Sequence, residues 1–200
     1  MSGVGSKTQP LFDRRWQGSL SDYVTGIAWS NQRFAACSAA GEVVVYESAT
    51  FEQSILQPQN GRSIDCLAFS HDGQFLAVGG QSGDVKIWRF SANTSELVAA
   101  IQVSAWVDQI AWSPTQNQLA FSLGKYAQVW DANVGDIVTT LGFEQSSVLD
   151  ITWHPTGESV SVGGYQGIKI WMAADWDDDP YVLAIPSATT AIAWSPDGKY

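Results

Sequence analysis

The sequence predicts an all-β protein built from a repeated unit, and three observations support this. Residues 64–88 form three short, largely apolar segments separated by turn-forming residues at 71–73 and 81–84, which is typical of strands joined by tight turns. The same arrangement recurs at 24–46, 107–130 and 148–171, and it begins again at 189. The aromatic residue that closes the first segment recurs every 40 to 43 residues, at Trp29, Phe69, Trp112, Trp153 and Trp194.

A second register gives the same period. The aromatic residue that closes the third segment recurs every 41 or 42 residues, at Tyr46, Trp88, Trp130 and Trp171. A constant period of this length, with several short strands in each unit, predicts the blades of a β-propeller. We expect four complete four-stranded blades and the first strand of a fifth, in order within 24–57, 64–103, 107–141, 148–185 and 189–200.

The N-terminal residues are assigned separately. Residues 1–10 are small and polar, which predicts a disordered lead-in. Residues 11–16 fall where the outer strand of a preceding blade would lie, so the partial propeller is expected to span 11–200.

Several segments resemble the motifs of the WD-repeat family. They are I-A-W-S-P-D-G at 192–198, L-A-V-G-G at 76–80, V-K-I-W at 85–88 and the pair Trp130 and Asp131. The resemblance covers about residues 11–200. A seven-bladed ring of this period needs about 290 residues, so we expect an open arc truncated from a longer protein. Such an arc leaves the outer sides of its first and fourth blades uncovered, which predicts self-association through exposed blade faces.

The sequence also departs from the family pattern. The Gly-His pair that precedes each first strand is absent, and the residues four positions ahead of these strands are Leu20, Asn60, Val103 and Glu144. Ala40 and Ser82 stand where the family has the Asp of its second tight turn. The polar network of the family therefore cannot form completely. We expect packing among the ten Trp and the other apolar residues to hold the blades together.

Charge and composition narrow the classes of partner. The chain is 45% hydrophobic and 15% charged, which is typical of a globular protein. Its net charge of −10 and sequence pI near 4.4 argue against nucleic acid and anionic membranes, which both require clustered Lys and Arg. The negative charge favours solubility, and a partner with a basic surface is the alternative explanation for it.

The cysteines and the N-terminus indicate the compartment. Cys37 and Cys66 lie in strands of neighbouring blades, and reduced thiols are favoured over a disulfide unless the two side chains face each other. No apolar run is long enough for a membrane helix, and residues 1–10 lack the apolar core of a secretory signal. We therefore expect a cytoplasmic protein.

No catalytic motif emerges, so the sequence predicts neither an enzyme nor a cofactor. The glycines at 79–83 and 163–167 lie between strands and lack phosphate-loop spacing, which favours hairpin turns. His71 and His154 occupy similar turns on different blades, and exposed turn residues are favoured over a shared metal site. The acidic run at 175–179 could hold a cation or a basic peptide, although a solvated loop is favoured.

Surface recognition is the function that remains. In WD-repeat proteins the usual partner platform is the ring face formed by the loops before the first strands and the turns between second and third strands. Aromatic and Arg residues commonly anchor interfaces. The candidate partner-binding residues on this face are Tyr23, Arg62, Trp106, Asp108, Tyr126 and Tyr165. Trp106 stands out because Tyr23, Ser63, Ser147 and Ala188 fill the same position in other units, although packing on a neighbouring blade would also explain it.

The resemblance thus implies a non-catalytic scaffold that binds a protein or peptide through its loop face. The alternative is a metal-handling or enzymatic propeller that uses the central cavity together with residues of a missing C-terminal part. Substitution of Trp106 tests the first function, and metal analysis of the full-length protein tests the second.

Overall fold

The computed structural model describes residues 16–91, 94–144 and 146–200, and these residues form an all-β structure. The predicted fold class is confirmed. The described residues contain fifteen strands in four antiparallel sheets, here named blades 1 to 4 in chain order. The predicted lead-in at 1–10 and the proposed strand at 11–15 lie outside the described residues.

Each of the first three blades has four strands in sequential order. Blade 1 contains β1 (Val24–Trp29), β2 (Arg33–Ser38), β3 (Val43–Glu47) and β4 (Gln53–Gln57). Blade 2 contains β5 (Ile64–Phe69), β6 (Phe75–Gly80), β7 (Asp84–Phe90) and β8 (Ser95–Gln102). Blade 3 contains β9 (Ile110–Trp112), β10 (Gln118–Leu123), β11 (Tyr126–Asp131) and β12 (Asp136–Gly142).

Blade 4 differs because its second and third strands form one continuous element. It contains β13 (Val148–Trp153), β14 (Ser159–Met172) and β15 (Tyr181–Ala188). The first half of β14 pairs with β13 and its second half pairs with β15. The chain reverses at Gln166 and Gly167, which both have positive φ values of 75° and 129°. Two successive positive φ values are typical of the tightest hairpin turns.

The predicted first strand of a fifth blade is not formed. Residues 189–200 contain no strand, because strands are stabilised by a ladder with a neighbour and no described segment pairs with this one. Single contacts hold it against blade 4 instead. The amide of Thr189 donates to the carbonyl of Gly164 at 2.9 Å, and the amide of Ile192 donates to Asp150 Oδ2 at 2.5 Å.

The cores lie between neighbouring blades. Alternate side chains of a strand face opposite sides of its sheet, so a blade can pack against a neighbour on each side, and three apolar clusters join blades 1 and 2, 2 and 3, and 3 and 4. Phe75 and Ile87 of blade 2, for example, pack with Phe121 and Trp130 of blade 3 in one apolar cluster. Trp112 also joins this cluster, with its ring 5.8 Å from that of Phe75.

Indole hydrogen bonds also join the blades through their first strands. The N–H of Trp112 donates to the carbonyl of Ala68 in blade 2 at 2.9 Å. The N–H of Trp153 donates to the carbonyl of Ala111 in blade 3 at 3.0 Å. The first strands of neighbouring blades therefore run in the same direction, with corresponding residues at the same level.

Trp112→Phe tests these indole bonds. The substitution removes the bond to Ala68 while keeping an aromatic ring, as Phe69 does naturally in blade 2, so we expect a loss of about 1 kcal/mol in the free energy of unfolding measured with urea. Trp29→Phe is the matched control, because Trp29 fills the same position in blade 1 but is 66% exposed. Equal losses in both variants would show that the bond contributes nothing.

The outer side of blade 1 is partly covered. Phe34 and Tyr46 lie on this side and are buried, since Trp16 packs against both rings at centroid distances of 5.1 and 4.7 Å. Ile27 and Trp29 remain 64% and 66% exposed. Self-association through such surface stays a prediction.

No helix in the described residues is long and apolar enough to cross a membrane.

Candidate functional site

The loops before the first strands and the hairpins between second and third strands meet at one end of each blade, here named the upper face. In blade 1 the amide of Ala39, in the hairpin, donates to the carbonyl of Tyr23 at 2.9 Å. In blade 2 the amide of Gln81 donates to the carbonyl of Ser63 at 3.0 Å. Because the first strands run in the same direction, the upper faces of the four blades form one surface.

The loops of the upper face are also fixed to the neighbouring blade. The amide of Val107 donates to the carbonyl of Gly80 in blade 2 at 3.2 Å, and that of Val148 donates to the carbonyl of Gly124 in blade 3 at 2.8 Å. Such backbone bonds restrain loops that lack secondary structure of their own, so the main chain from which their side chains project is held in a defined position.

All six candidate partner-binding residues lie on the upper face with exposed side chains. The exposed fractions of the aromatic ones are large, at 84%, 61%, 45% and 52% for Tyr23, Trp106, Tyr126 and Tyr165. The structure brings Trp106 and Asp108 together on one loop of blade 3. It separates Tyr23 from Tyr165, which lie on the first and last blades. Their role in binding stays a prediction.

Trp106 is the most prominent of these residues. Its loop is anchored on one side by the amide of Val103, which donates to the carbonyl of Gly83 at 2.9 Å, and on the other by Val107, which is fully buried. Because 61% of the Trp106 surface is exposed, most of its ring does not pack on a neighbouring blade. Asp108 is also exposed, and its amide donates to Ser122 Oγ at 3.1 Å. An indole and a carboxylate therefore stand side by side on a restrained loop.

Sequence reasoning missed a groove beside Tyr165. It is formed by β14 and β15 of blade 4 together with Phe143, which follows blade 3, and it is lined mainly by apolar residues, with Lys169 as its one charged residue among those described. The groove depends on residues from distant parts of the chain, such as Phe143 and Val182, so no single motif indicates it. The only sequence signal is Gly167, which stands where blade 2 has Asp84.

The two cysteines lie in strands of neighbouring blades, Cys37 in β2 and Cys66 in β5. Cys37 and Cys66 are both free. The Cys66 thiol donates to the carbonyl of Val107 at 3.3 Å. Burial raises the pKa of Cys66 well above its ordinary value, and Cys37 and the nearby carboxylates of Asp65 and Asp108 add to the shift. In residues 16–91, 94–144 and 146–200, no group of three or more His, Cys, Asp or Glu side chains could hold a metal ion.

One expectation for the opposite end of the blades was wrong. His154 is buried rather than exposed, because it fills the place of the turn serine found in the other repeats and points toward the next one. Its Nε2 lies 3.0 Å from the carbonyl oxygen of Gly198, and its ring packs edge-on against Trp194. His71 is exposed, as expected.

The acidic run lies at the same end. Asp175 and Asp177 to Asp179 are exposed, whereas Trp176 is half-buried and packs edge-on against Trp153. The run is therefore a solvated loop anchored by one aromatic side chain.

Two family models match the chain. The model described as "Anaphase-promoting complex subunit 4 WD40 domain" matches residues 28–115. The model described as "Eukaryotic translation initiation factor eIF2A" matches residues 82–200. The two matched ranges overlap at residues 82–115, and the two descriptions name different proteins, so the matches do not indicate one activity.

The chain is also similar to known proteins. WD repeat-containing protein 1 of Bos taurus is 33% identical over 130 residues, which is 60% of this chain and 21% of that protein. The APC/C activator protein CDH1 of Saccharomyces cerevisiae is 26% identical over 164 residues, which is 78% of this chain and 29% of that protein. The chain spans less than a third of the length of these relatives.

A solved structure shows the same fold. One chain of the "Crystal Structure of Mitotic Checkpoint Complex" superposes with a TM-score of 0.70 at 23% sequence identity, covering 87% of this chain and 56% of that one. The repeat period, the four radially packed sheets and these matches agree. The chain therefore belongs to the WD-repeat β-propeller family.

Proposed function

We propose that this chain is a non-catalytic scaffold that holds a protein or peptide partner on its upper face. The observation that carries the proposal is the exposed indole of Trp106 beside the exposed carboxylate of Asp108 on a restrained loop. A large aromatic side chain has few rotatable bonds, so on an anchored main chain it offers much contact area for little loss of entropy on binding, which is why such residues anchor interfaces.

The relatives support this class of function. WD-repeat relatives are typically interaction scaffolds or regulators, and two of the similar proteins are named as an activator of a complex and as part of one. The acidic composition disfavours nucleic acid and anionic membranes as partners. The two free thiols suit a reducing compartment, so we place the protein in the cytoplasm.

Trp106→Ala is the direct test. A partner is first isolated by affinity pull-down with the full-length gene product. The full-length protein carrying Trp106→Ala should then bind this partner about 30-fold more weakly than the wild type does, as expected for a central aromatic anchor that contributes about 2 kcal/mol. Affinity is measured on the purified partner by isothermal titration calorimetry.

Tyr181→Ala is the matched control. Tyr181 is an aromatic residue that is 78% exposed, and it lies at the start of β15, away from the upper face. The Tyr181→Ala substitution should leave the affinity for the partner unchanged. If Trp106→Ala remains folded and binds the same partner as tightly as the wild type, the upper face is not the binding surface.

A further inference from the structure

The groove beside Tyr165 has a shape and a chemistry of its own. Its volume is about 410 Å³. The residues that give it its character are Phe143, Tyr165, Ile168, Lys169, Val182 and Ile185. This volume accommodates one or two bulky side chains of a peptide, and most of the lining is apolar.

The groove is lined by β14 and β15 of blade 4 and is closed on one side by Phe143, which follows the last strand of blade 3. Lys169 Nζ donates to the carbonyl of Gly142, at the end of β12, at 2.9 Å. The side chain of Lys169 therefore points from blade 4 toward blade 3. Val182 is its direct partner across the β14–β15 ladder, so its side chain lies on the same side. Val182 is 60% exposed and forms an open apolar wall.

Lys169 lies in the groove without a carboxylate partner. Within the described residues, no Asp or Glu oxygen lies within 4.0 Å of its ammonium group. The nearby groups are the rings of Phe143 and Trp171, at 6.0 and 5.9 Å, and the carboxylate of Glu144 lies beside Gly142 without reaching ion-pair distance of the ammonium group. An ammonium group has three donors, and the bond to Gly142 uses one of them.

Blade 2 supplies an internal comparison. Lys86 fills the position of Lys169, and its ammonium group lies 3.2 Å from the carboxylate of Asp84 and 2.6 Å from Gln57 Oε1. In blade 4 the residue two positions before the lysine is Gly167, which cannot supply a carboxylate. Lys86 thus forms a direct ion pair within its blade, whereas Lys169 forms none with the described residues, in a chain whose net charge is −10.

We propose that this groove binds an extended segment of a partner protein in which an Asp or Glu lies two positions from a bulky apolar residue. Residues i and i+2 of an extended chain point to the same side, so one side chain enters the apolar groove while the carboxylate reaches Lys169. A half-buried ammonium group forms charge-assisted hydrogen bonds that are stronger than neutral ones. The proposal rests on the proposed function, because it names what the scaffold would hold.

Defined peptides test the proposal. Fluorescein-labelled octapeptides carry Leu or Phe two positions from Asp or Glu in a Gly and Ser background, and matched peptides carry Asn or Gln instead of the acid. Binding to the 200-residue chain is measured by fluorescence anisotropy. We expect at least one acidic peptide to bind, and its amide counterpart to bind about tenfold more weakly.

Variants assign the binding to Lys169. Lys169→Gln should weaken binding of the acidic peptide about tenfold, whereas Lys169→Arg should retain it because the charge remains. Lys86→Gln is the matched control and should have no effect, since Asp84 already neutralises Lys86. The proposal is wrong if no acidic peptide binds, if the amide peptides bind equally well, or if Lys86→Gln weakens binding as much as Lys169→Gln. Should Lys169→Gln unfold the chain, the comparison of acid and amide peptides on the wild type decides.

Trp106→Ala separates this proposal from the proposed function. It should leave peptide binding in the groove unchanged, because Trp106 does not line the groove. Loss of partner binding only in Trp106→Ala would support the upper face and not the groove. Loss only in Lys169→Gln would support the groove and not the Trp106 loop.

Discussion

Replacing Phe121 by alanine is expected to lower the free energy of unfolding by about 3–5 kcal/mol, which is typical of removing a fully buried aromatic side chain. Phe121 is completely buried between blades 2 and 3, in the same cluster as Phe75 and Trp130. The substitution removes contacts that hold two blades together, and the cavity cannot close because strands on both sides fix its walls. Urea denaturation followed by tryptophan fluorescence measures the loss.

Two further variants make the result specific. Val78 and Val162 fill the position of Phe121 in blades 2 and 4, so Phe121→Val should be tolerated better than Phe121→Ala. Val134→Ala, at a residue that is 66% exposed, should change stability by less than about 0.5 kcal/mol. A loss below about 1 kcal/mol in Phe121→Ala would mean that the interface between blades 2 and 3 is not a stabilising core.

The repeat explains why much of the fold could be predicted from the sequence. The aromatic residues that close the third strands, Trp88, Trp130 and Trp171, are all buried, because a constant period places each of them on the same side of its blade. At residues 95–100 the short length and the flanking β-branched residues favour a strand over a helix, and these residues form part of β8. Within the four blades, the local pattern is therefore sufficient to predict the strands.

The differences arise where contacts between distant residues decide the structure. The pattern at 189–194 is that of a first strand, yet this segment forms no strand because a ladder needs a neighbour. His154 looked like a surface turn residue, and its burial depends on Gly198 and Trp194 of the next repeat. Sequence periodicity within one unit carries no information about these contacts.

The candidate site shows the same division. The sequence indicates that successive strands alternate in direction. This alternation places Trp106 and Tyr165 at the same end of the blades. The groove required knowledge that Lys169 reaches Gly142 of another blade. The contrast between Gly167 and Asp84 is visible in the sequence, but its meaning depends on that contact.

The two thiols make stability depend on pH in the alkaline range. Burial raises the pKa of both thiols, so each thiol ionises at a higher pH in the folded state than in the unfolded state, where ionisation begins near pH 8.5. Cys37 is fully buried, and its Sγ contacts Thr25 Oγ1 at 3.4 Å. The unfolded chain therefore binds fewer protons than the folded one above this pH. The contribution of the two thiols to the free energy of unfolding is fully present below pH 8.5, and it is lost as the pH rises toward the folded-state pKa values.

We expect the free energy of unfolding to fall by at least about 1.4 kcal/mol between pH 7.5 and 9.5, since Cys66 contributes about this much for one pH unit above its unfolded pKa and Cys37 adds to the loss in the same direction. Tyr46 does not interfere, because its ordinary pKa lies above this window and burial raises its pKa further. Urea denaturation under reducing conditions measures the loss. A variant with Cys37→Ala and Cys66→Ala has a lower starting stability but should lose much less between the two pH values. If it declines as steeply as the wild type, other groups cause the pH dependence, and the folded chain does not protect its thiols from ionisation.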